Sequence, residues 1–265
     1  MPTPVESLIT VQEQGHVLLI GLNRPEKYNA MNLAAIDQLA QAYQLLEDSP
    51  NLRVGVVFSH GDHFCAGLDL AEVSAEVAKR GPIALSGNSH IDPYGIWGAK
   101  VSKPIVMALH GISFTISIEL ALASDIVIAA ENTRFRQLEV GRGIIPFGGA
   151  TIRATEQLGW SNAMRFLLTG EEFGAEEALR IGLISEITPV GQDTQRAIEI
   201  AELIAKQAPM GIYGTIANAR VSRELGEEAA VEHMRQILPG ILTSQDAAEG
   251  INSFLERRDG NFTGT

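Results

Sequence analysis

Apolar positions recur with two different periods along the chain. Residues 8–12 and 16–22 read as two strands around a tight turn at Gln14 and Gly15. A polar loop, 23–30, follows. Residues 33–47 place Ile36, Leu39, Ala40, Tyr43 and Leu46 at helical spacing, the mark of an amphipathic helix. Residues 54–58 form a short apolar strand, and 60–63 turn the chain. After the break at Lys103-Pro104, residues 105–109 read as another buried strand. The stretch 112–130 is apolar apart from Glu119 and Asp125; its middle reads as buried helix and 126–130 as strand. Strands alternating with helices predict an α/β core over residues 1–190. Residues 191–265 read as helical, with candidates at 194–207, 209–224, 227–238 and 246–258 between Pro or Gly signals. Segment 80–95 is rich in turn formers, which suits a loop lining a binding site or a plain surface loop.

The chain has 265 residues, 45% hydrophobic and 20% charged, with a net charge of −12. An acidic balance argues against nucleic-acid or anionic-membrane binding, since both draw on Lys and Arg. It leaves room for an anionic small ligand on a local basic rim. The single cysteine, Cys65, permits no intramolecular disulfide and suits a reducing compartment. The first seven residues lack a basic stretch followed by an apolar core, so no secretory signal is expected. No apolar run reaches the ~18 residues of a membrane span. A cytoplasmic protein is the expectation.

Elimination narrows the chemistry. Gly141-Arg-Gly143-Ile-Ile-Pro146 fails the dinucleotide fingerprint at its last position, and neither a Walker phosphate loop nor a serine-nucleophile elbow is present. His60-x-Asp62-His63 has no accompanying ligand motif, so a polar turn is expected and no metal. Two features remain. Phe64-Cys-Ala-Gly-Leu-Asp-Leu70 puts small residues just after a buried strand, where a ligand can approach backbone N–H groups. Glu119 and Glu139 form a carboxylate pair 20 positions apart, the second in a glycine-rich loop before a helix. A buried carboxylate must shift its pKa or find a partner. Glu119 therefore fits a proton-transfer group working near neutral pH. It equally fits a structural carboxylate in an ion pair, or one capping a neighbouring segment.

Six segments carry a resemblance to a known family. Asn23-Arg-Pro-Glu-Lys-Tyr-Asn-Ala30 resembles N-R-P-x-x-x-N-A, and the 64–70 turn resembles F-x-A-G-x-D-L. Lys103-Pro104 through Gly111 resembles K-P-x-x-A-x-x-x-G. Ser124-Asp-Ile126 resembles C-D-I, and Pro146-Phe-Gly-Gly149 resembles P-x-x-G-G. Arg257-Arg-Asp-Gly-Asn-Phe262 resembles the usual ending. In this order and spacing the chain resembles the enoyl-CoA hydratase/isomerase (crotonase) superfamily nearly end to end.

The resemblance implies an α/β, crotonase-like spiral of repeated β-β-α units with a helical C-terminal trimerisation region. It implies an acyl-CoA thioester substrate and a homotrimer or hexamer. It implies no metal or redox cofactor, coenzyme A being part of the substrate. By position, the backbone N–H groups of Leu68 and Ile116 match the oxyanion donors that stabilise a thioester enolate. Glu119 matches the group that activates water, and Glu139 the one that protonates the α-carbon. CoA contacts fall on Arg24, Lys27, Ala30, Ala66, Leu68, Asp69 and Leu70, with Arg24 and Lys27 toward the phosphates. Tyr94, Ile96 and Trp97 match an acyl pocket or plain core. Phe254 and Phe262 suit an interface or a cover over CoA, and Asp125 a cap or salt bridge. Keeping both glutamates favours a hydratase over the isomerases. An inactive CoA-binding scaffold is the reading from another class.

Two departures stand out. Ala71 occupies the position where many hydratases carry a lysine, which removes one basic CoA contact. Thr115-Ile-Ser117 replaces the usual run of glycines at the second oxyanion donor. β-Branched residues resist the backbone angles that glycine tolerates. Either Thr115 and Ile116 take ordinary helical angles, or the site is reshaped.

Overall fold

The computed structural model describes residues 7–265, so the reading of residues 1–6 for an export signal lies outside the described residues. The strands in chain order are β1 (Ile9–Gln14), β2 (Val17–Leu22), β3 (Val54–Ser59), β4 (Ile105–Leu109), β5 (Ile112–Phe114), β6 (Ile126–Ala130), β7 (Arg134–Arg136), β8 (Phe173–Gly174) and β9 (Glu186–Thr188). The helices are α1 (Leu33–Asp48), α2 (Leu70–Arg80), α3 (Ile116–Ala123), α4 (Ala150–Gln157), α5 (Trp160–Thr169), α6 (Ala175–Ile181), α7 (Asp193–Ala205), α8 (Pro209–Leu225), α9 (Glu227–Leu242) and α10 (Gln245–Glu256).

The main sheet runs β1-β2-β3-β4-β6-β9; only the β1–β2 pair is antiparallel. Parallel strands covered on both faces read as continuous apolar runs, and β2 and β4 are buried at every position. On one face Leu18, Ile20 and Leu22 join Ile36, Leu39 and Tyr43 of α1 in the main core. On the other, Ala197, Ala201 and Ala205 form a flat stripe on α7. That stripe packs against Val17, Val54, Val56, Val106 and Ile128. A smaller sheet, β5-β7-β8, stands apart and leads into α3.

Three local readings shift. The first hairpin turns at Gly15-His16, one residue later than the sequence suggests, because Gly15 (φ +59°) sits inside the two-residue loop. Residues 70–80 are helical. The predicted helix around Glu119 starts only at Ile116, because Ile112–Phe114 pairs instead with Arg134–Arg136. Among the described residues no helix is long and apolar enough to cross a membrane.

Lys103 shows how the motif segments hold the scaffold. Its ammonium donates to the carbonyls of Leu46 (2.7 Å), Ser49 (2.6 Å) and Leu52 (2.8 Å), which closes the C-terminal end of α1. The residue is buried, and burial lowers its pKa. Three carbonyls at and just beyond the end of α1 thus share one cation. Lys103→Met removes all three bonds and is expected to cost about 3 kcal/mol of unfolding free energy by denaturant titration. A loss under about 1 kcal/mol would mean that water replaces the ammonium.

Candidate active site

The 64–70 turn is tied on two sides. Cys65 N–H donates to Ile112 O, and Phe114 N–H to Cys65 O, which fastens the turn to β5. Ala66 N–H donates to Tyr28 O, Met31 N–H to Gly67 O and Asp69 N–H to Met31 O, which fastens it to the 23–30 loop. The N–H groups of Ala66 and Asp69 are therefore occupied. The N–H of Leu68 between them donates to no described residue. Arg24 locks the same junction. Its guanidinium reaches Asp69 (2.8 Å), Glu72 (2.8 Å) and Ala30 O (3.1 Å), and it holds the Asp69 carboxyl below the usual range. Arg24 is thus a clamp between loop and turn; Lys27 is exposed and pairs with no carboxylate among the described residues.

The departure at Thr115 resolves in a third way. Thr115 itself takes the glycine-like backbone, with φ 52° and ψ −112°, while Ile116 begins an ordinary helix. Those angles belong to the first central position of a type II′ turn, where glycine is usual. Strain of this kind costs about 1–3 kcal/mol and persists only where the surroundings over-determine it. Here Thr115 N–H donates to Arg136 O (2.8 Å), and Thr115 O accepts from Ile118 (2.9 Å) and Glu119 (3.3 Å). As the first residue of α3, Ile116 has no intrahelical acceptor for its N–H. Gly67, at φ +113°, packs against this turn so closely that a Cβ there would lie 2.4 Å from Thr115 Oγ1. The turns carrying Leu68 and Ile116 are therefore in direct contact.

Glu119 is 1% exposed. Its Oε1 accepts from Gly148 N–H (2.8 Å) and Ala150 N–H (3.0 Å). It therefore caps the N-terminal end of α4 from a distant part of the chain. Burial pushes its pKa up to about 7. The Ala150 and Gly148 bonds and the Arg153 charge oppose that shift, and the Glu139 charge reinforces it. Glu139 opens a short 3₁₀ turn, Glu139–Arg142, and is also buried. Its Oε1 accepts from Gln137 Nε2 (3.1 Å), and its Oε2 is enclosed without a hydrogen bond among the described residues. Burial raises its pKa too, against the bonds from its own N–H, Leu138 and Gln137.

Ala66, Leu68, Leu70, Thr115 and Glu139 line one cavity with Phe147. Glu119 and Ile116 do not line it; both sit against Gly148, where a Cβ would meet Glu119 Oε2 at 2.7 Å and Ile116 Cδ1 at 3.0 Å. Sequence reasoning missed Gln137 and Arg153; only their nearness to Glu139 and to Gly148-Gly149 in the chain hinted at them. Asp125 is structural: it accepts from Ile105 N–H (2.8 Å) and faces Arg220 (3.5 Å). His60 bonds Thr10 (2.8 Å) and His63 bonds Ile112 N–H (3.3 Å). Among the described residues no group of three or more His, Cys, Asp or Glu converges as a metal-ligand set.

The contact between the turns predicts a specific coupling. Gly67→Ala is expected to destabilise the wild-type chain by at least about 1 kcal/mol more than it destabilises a Thr115→Gly background, because the clash needs the threonine side chain. Thermal or denaturant unfolding of the four proteins measures this, and additive effects would contradict the contact.

A family model described as enoyl-CoA hydratase/isomerase matches residues 12–265. Enoyl-CoA hydratase EchA19 of Mycobacterium tuberculosis is 30% identical over 256 residues, covering 95% of each chain. Carnitinyl-CoA dehydratase of Proteus mirabilis is 32% identical over 259 residues, covering 95% of this chain and 96% of the relative. The crystal structure of a probable enoyl-CoA hydratase/isomerase from Mycobacterium abscessus superposes with a TM-score of 0.92 at 45% identity, covering 98% of this chain and 99% of that one. The mixed α/β fold with its free N–H groups and buried glutamates thus sits on a known scaffold, and the chain belongs to the enoyl-CoA hydratase/isomerase, or crotonase, family.

Proposed function

We propose that the protein is an enoyl-CoA hydratase, adding water reversibly across the 2,3 double bond of an acyl-CoA thioester. The carrying observation is the pair of buried carboxylates, each with a raised pKa and coupled by charge, beside two turns with unengaged N–H groups. Glu119 takes a proton from water as its oxygen bonds to C3. The π electrons move onto the thioester oxygen as an enolate, which the Leu68 and Ile116 N–H groups stabilise. Glu139 then delivers a proton to C2, and proton exchange with solvent resets the pair. Both steps are proton transfers, and no metal or redox cofactor takes part.

Binding follows the same placement. Ala30, Ala66 and the 68–70 backbone meet the adenine and pantetheine parts of CoA, and Lys27 the phosphates. Arg24 and Asp69 shape that surface through their ion pair. The exposed apolar side chains Leu225, Leu242, Phe254 and Leu255 on the C-terminal helices support a homotrimer or a hexamer of paired trimers. A cytoplasmic location fits the single buried cysteine.

Loss of crotonyl-CoA enoyl absorbance measures the reaction. Glu119→Gln and Glu139→Gln are each expected to lower kcat by about 10²–10⁴. Water activation needs ionised Glu119, so kcat/KM rises as pH climbs through about 7, the value to which burial lifts this group. A panel of enoyl-CoAs left unchanged, or a profile flat from about pH 6 to 8, would overturn the reading.

A further inference from the structure

A second cavity, of about 280 Å³, lies against α4, α8 and the 92–101 loop. Its lining includes Arg153, Arg220, Arg223, Lys100, Asp92 and Asp125. Most of these charges are already committed. Asp92 accepts from the N–H groups of Tyr94, Ile96 and Trp97. Lys100 pairs with Glu224, Arg223 faces Glu156 (3.5 Å), and Arg220 faces Asp125 (3.5 Å).

Arg153 is the exception. It is 5% exposed. Its Nη2 donates to Gly95 O (3.3 Å), and its Nη1 is enclosed with no hydrogen bond among the described residues. Among those residues no carboxylate lies within ion-pair distance of it. Burial depresses its pKa, the Arg223 and Arg220 charges add to the effect, and the Asp92 and Glu119 charges oppose it. A buried guanidinium without a counter-ion is costly, and a carboxylate is the ligand that fits its fork.

Arg153 also lies near enough to Glu119 for each charge to act on the other. A Cβ on Gly149 would lie 2.7 Å from Arg153 Nη1, and one on Gly148 would lie 2.7 Å from Glu119 Oε2. Two successive glycines thus approach the Arg153 guanidinium and the Glu119 carboxylate. No proton of the proposed hydration passes through that guanidinium.

We propose that this cavity is a carboxylate-binding site with Arg153 as its central donor and Arg220 and Arg223 at its edge, and that it receives the distal carboxylate of an acyl group whose thioester end lies at the Leu68 and Ile116 turns. The site itself stands on Arg153; only the identity of its ligand rests on the acyl-CoA reading. The substrate class is then an ω-carboxylated 2-enoyl-CoA, and the cavity sets chain-end selectivity.

The test compares six-carbon 2-enoyl-CoAs ending in a methyl group or in a carboxylate, and reads the ratio of kcat/KM within each protein. The wild type is expected to favour the carboxylate end by ~10-fold or more, and Arg153→Met to lower the ratio by ~10–100-fold. Arg223→Gln, at a partly exposed position, lowers the ratio in the same direction and guards against misfolding of the buried variant. A parallel titration with free glutarate follows the melting temperature. A wild-type ratio near one together with no rise in Tm overturns the proposal. A ratio near one with a glutarate-induced rise that Arg223→Gln abolishes keeps the anion site and overturns the acyl assignment. Failure to hydrate either substrate sinks the hydratase reading instead, and the glutarate titration then decides the site on its own.

Discussion

One carboxylate oxygen holds two layers of this protein together. Glu119 Oε1 accepts the Gly148 and Ala150 N–H groups, so α3 carries the cap that α4 cannot supply for itself. The small residues nearby follow from that bond. A side chain at Gly148 would strike Glu119, and one at Gly149 would strike Arg153. The bond also fixes which way the group faces and keeps it dry. Burial then raises its pKa against the two N–H donors, leaving a carboxylate that exchanges protons near neutral pH. The cap and the raised pKa therefore share one cause, the burial of this carboxylate.

The second constraint is steric. Thr115 occupies a backbone region that favours glycine, and Gly67 leaves no room for a side chain against it. A β-branched residue survives there because three backbone bonds fix its peptide groups and because its partner has no Cβ. Directly after it Ile116 opens α3, and its N–H has no intrahelical acceptor. The clamp from Arg24 to Asp69 fixes the opposite turn and leaves the Leu68 N–H equally free. Two unpaired donors at the junction of two rigid turns are what a developing oxyanion requires.

Much of this was legible in the chain. The apolar runs at 17–22, 105–109 and 126–130 became parallel strands because burial on both faces demands continuous hydrophobicity. Glu119 stood out because a charge in an oily helix needs a reason. The helix at 70–80 was harder to see, since Val73 is its only buried residue and little of its pattern points inward. β5 was hidden because three residues carry no period, and only their pairing with β7 defines them. Thr115 was misjudged because propensity describes the average residue, whereas tertiary hydrogen bonds set the angles of this one. Arg153 carried no signal of its own, because a guanidinium one helical turn inside an ordinary amphipathic sequence looks solvated until the fold buries it.

The central claim is that the Leu68 and Ile116 turns receive a thioester oxygen near two buried carboxylates. A crystal structure with a non-reactive acyl-CoA thioester bound tests it most directly. The account predicts the thioester oxygen at ~2.7–3.1 Å from both N–H groups, with Glu119 and Glu139 on the two carbons next along the acyl chain. A thioester oxygen beyond reach of either N–H, or an acyl chain running away from Glu119, would contradict it.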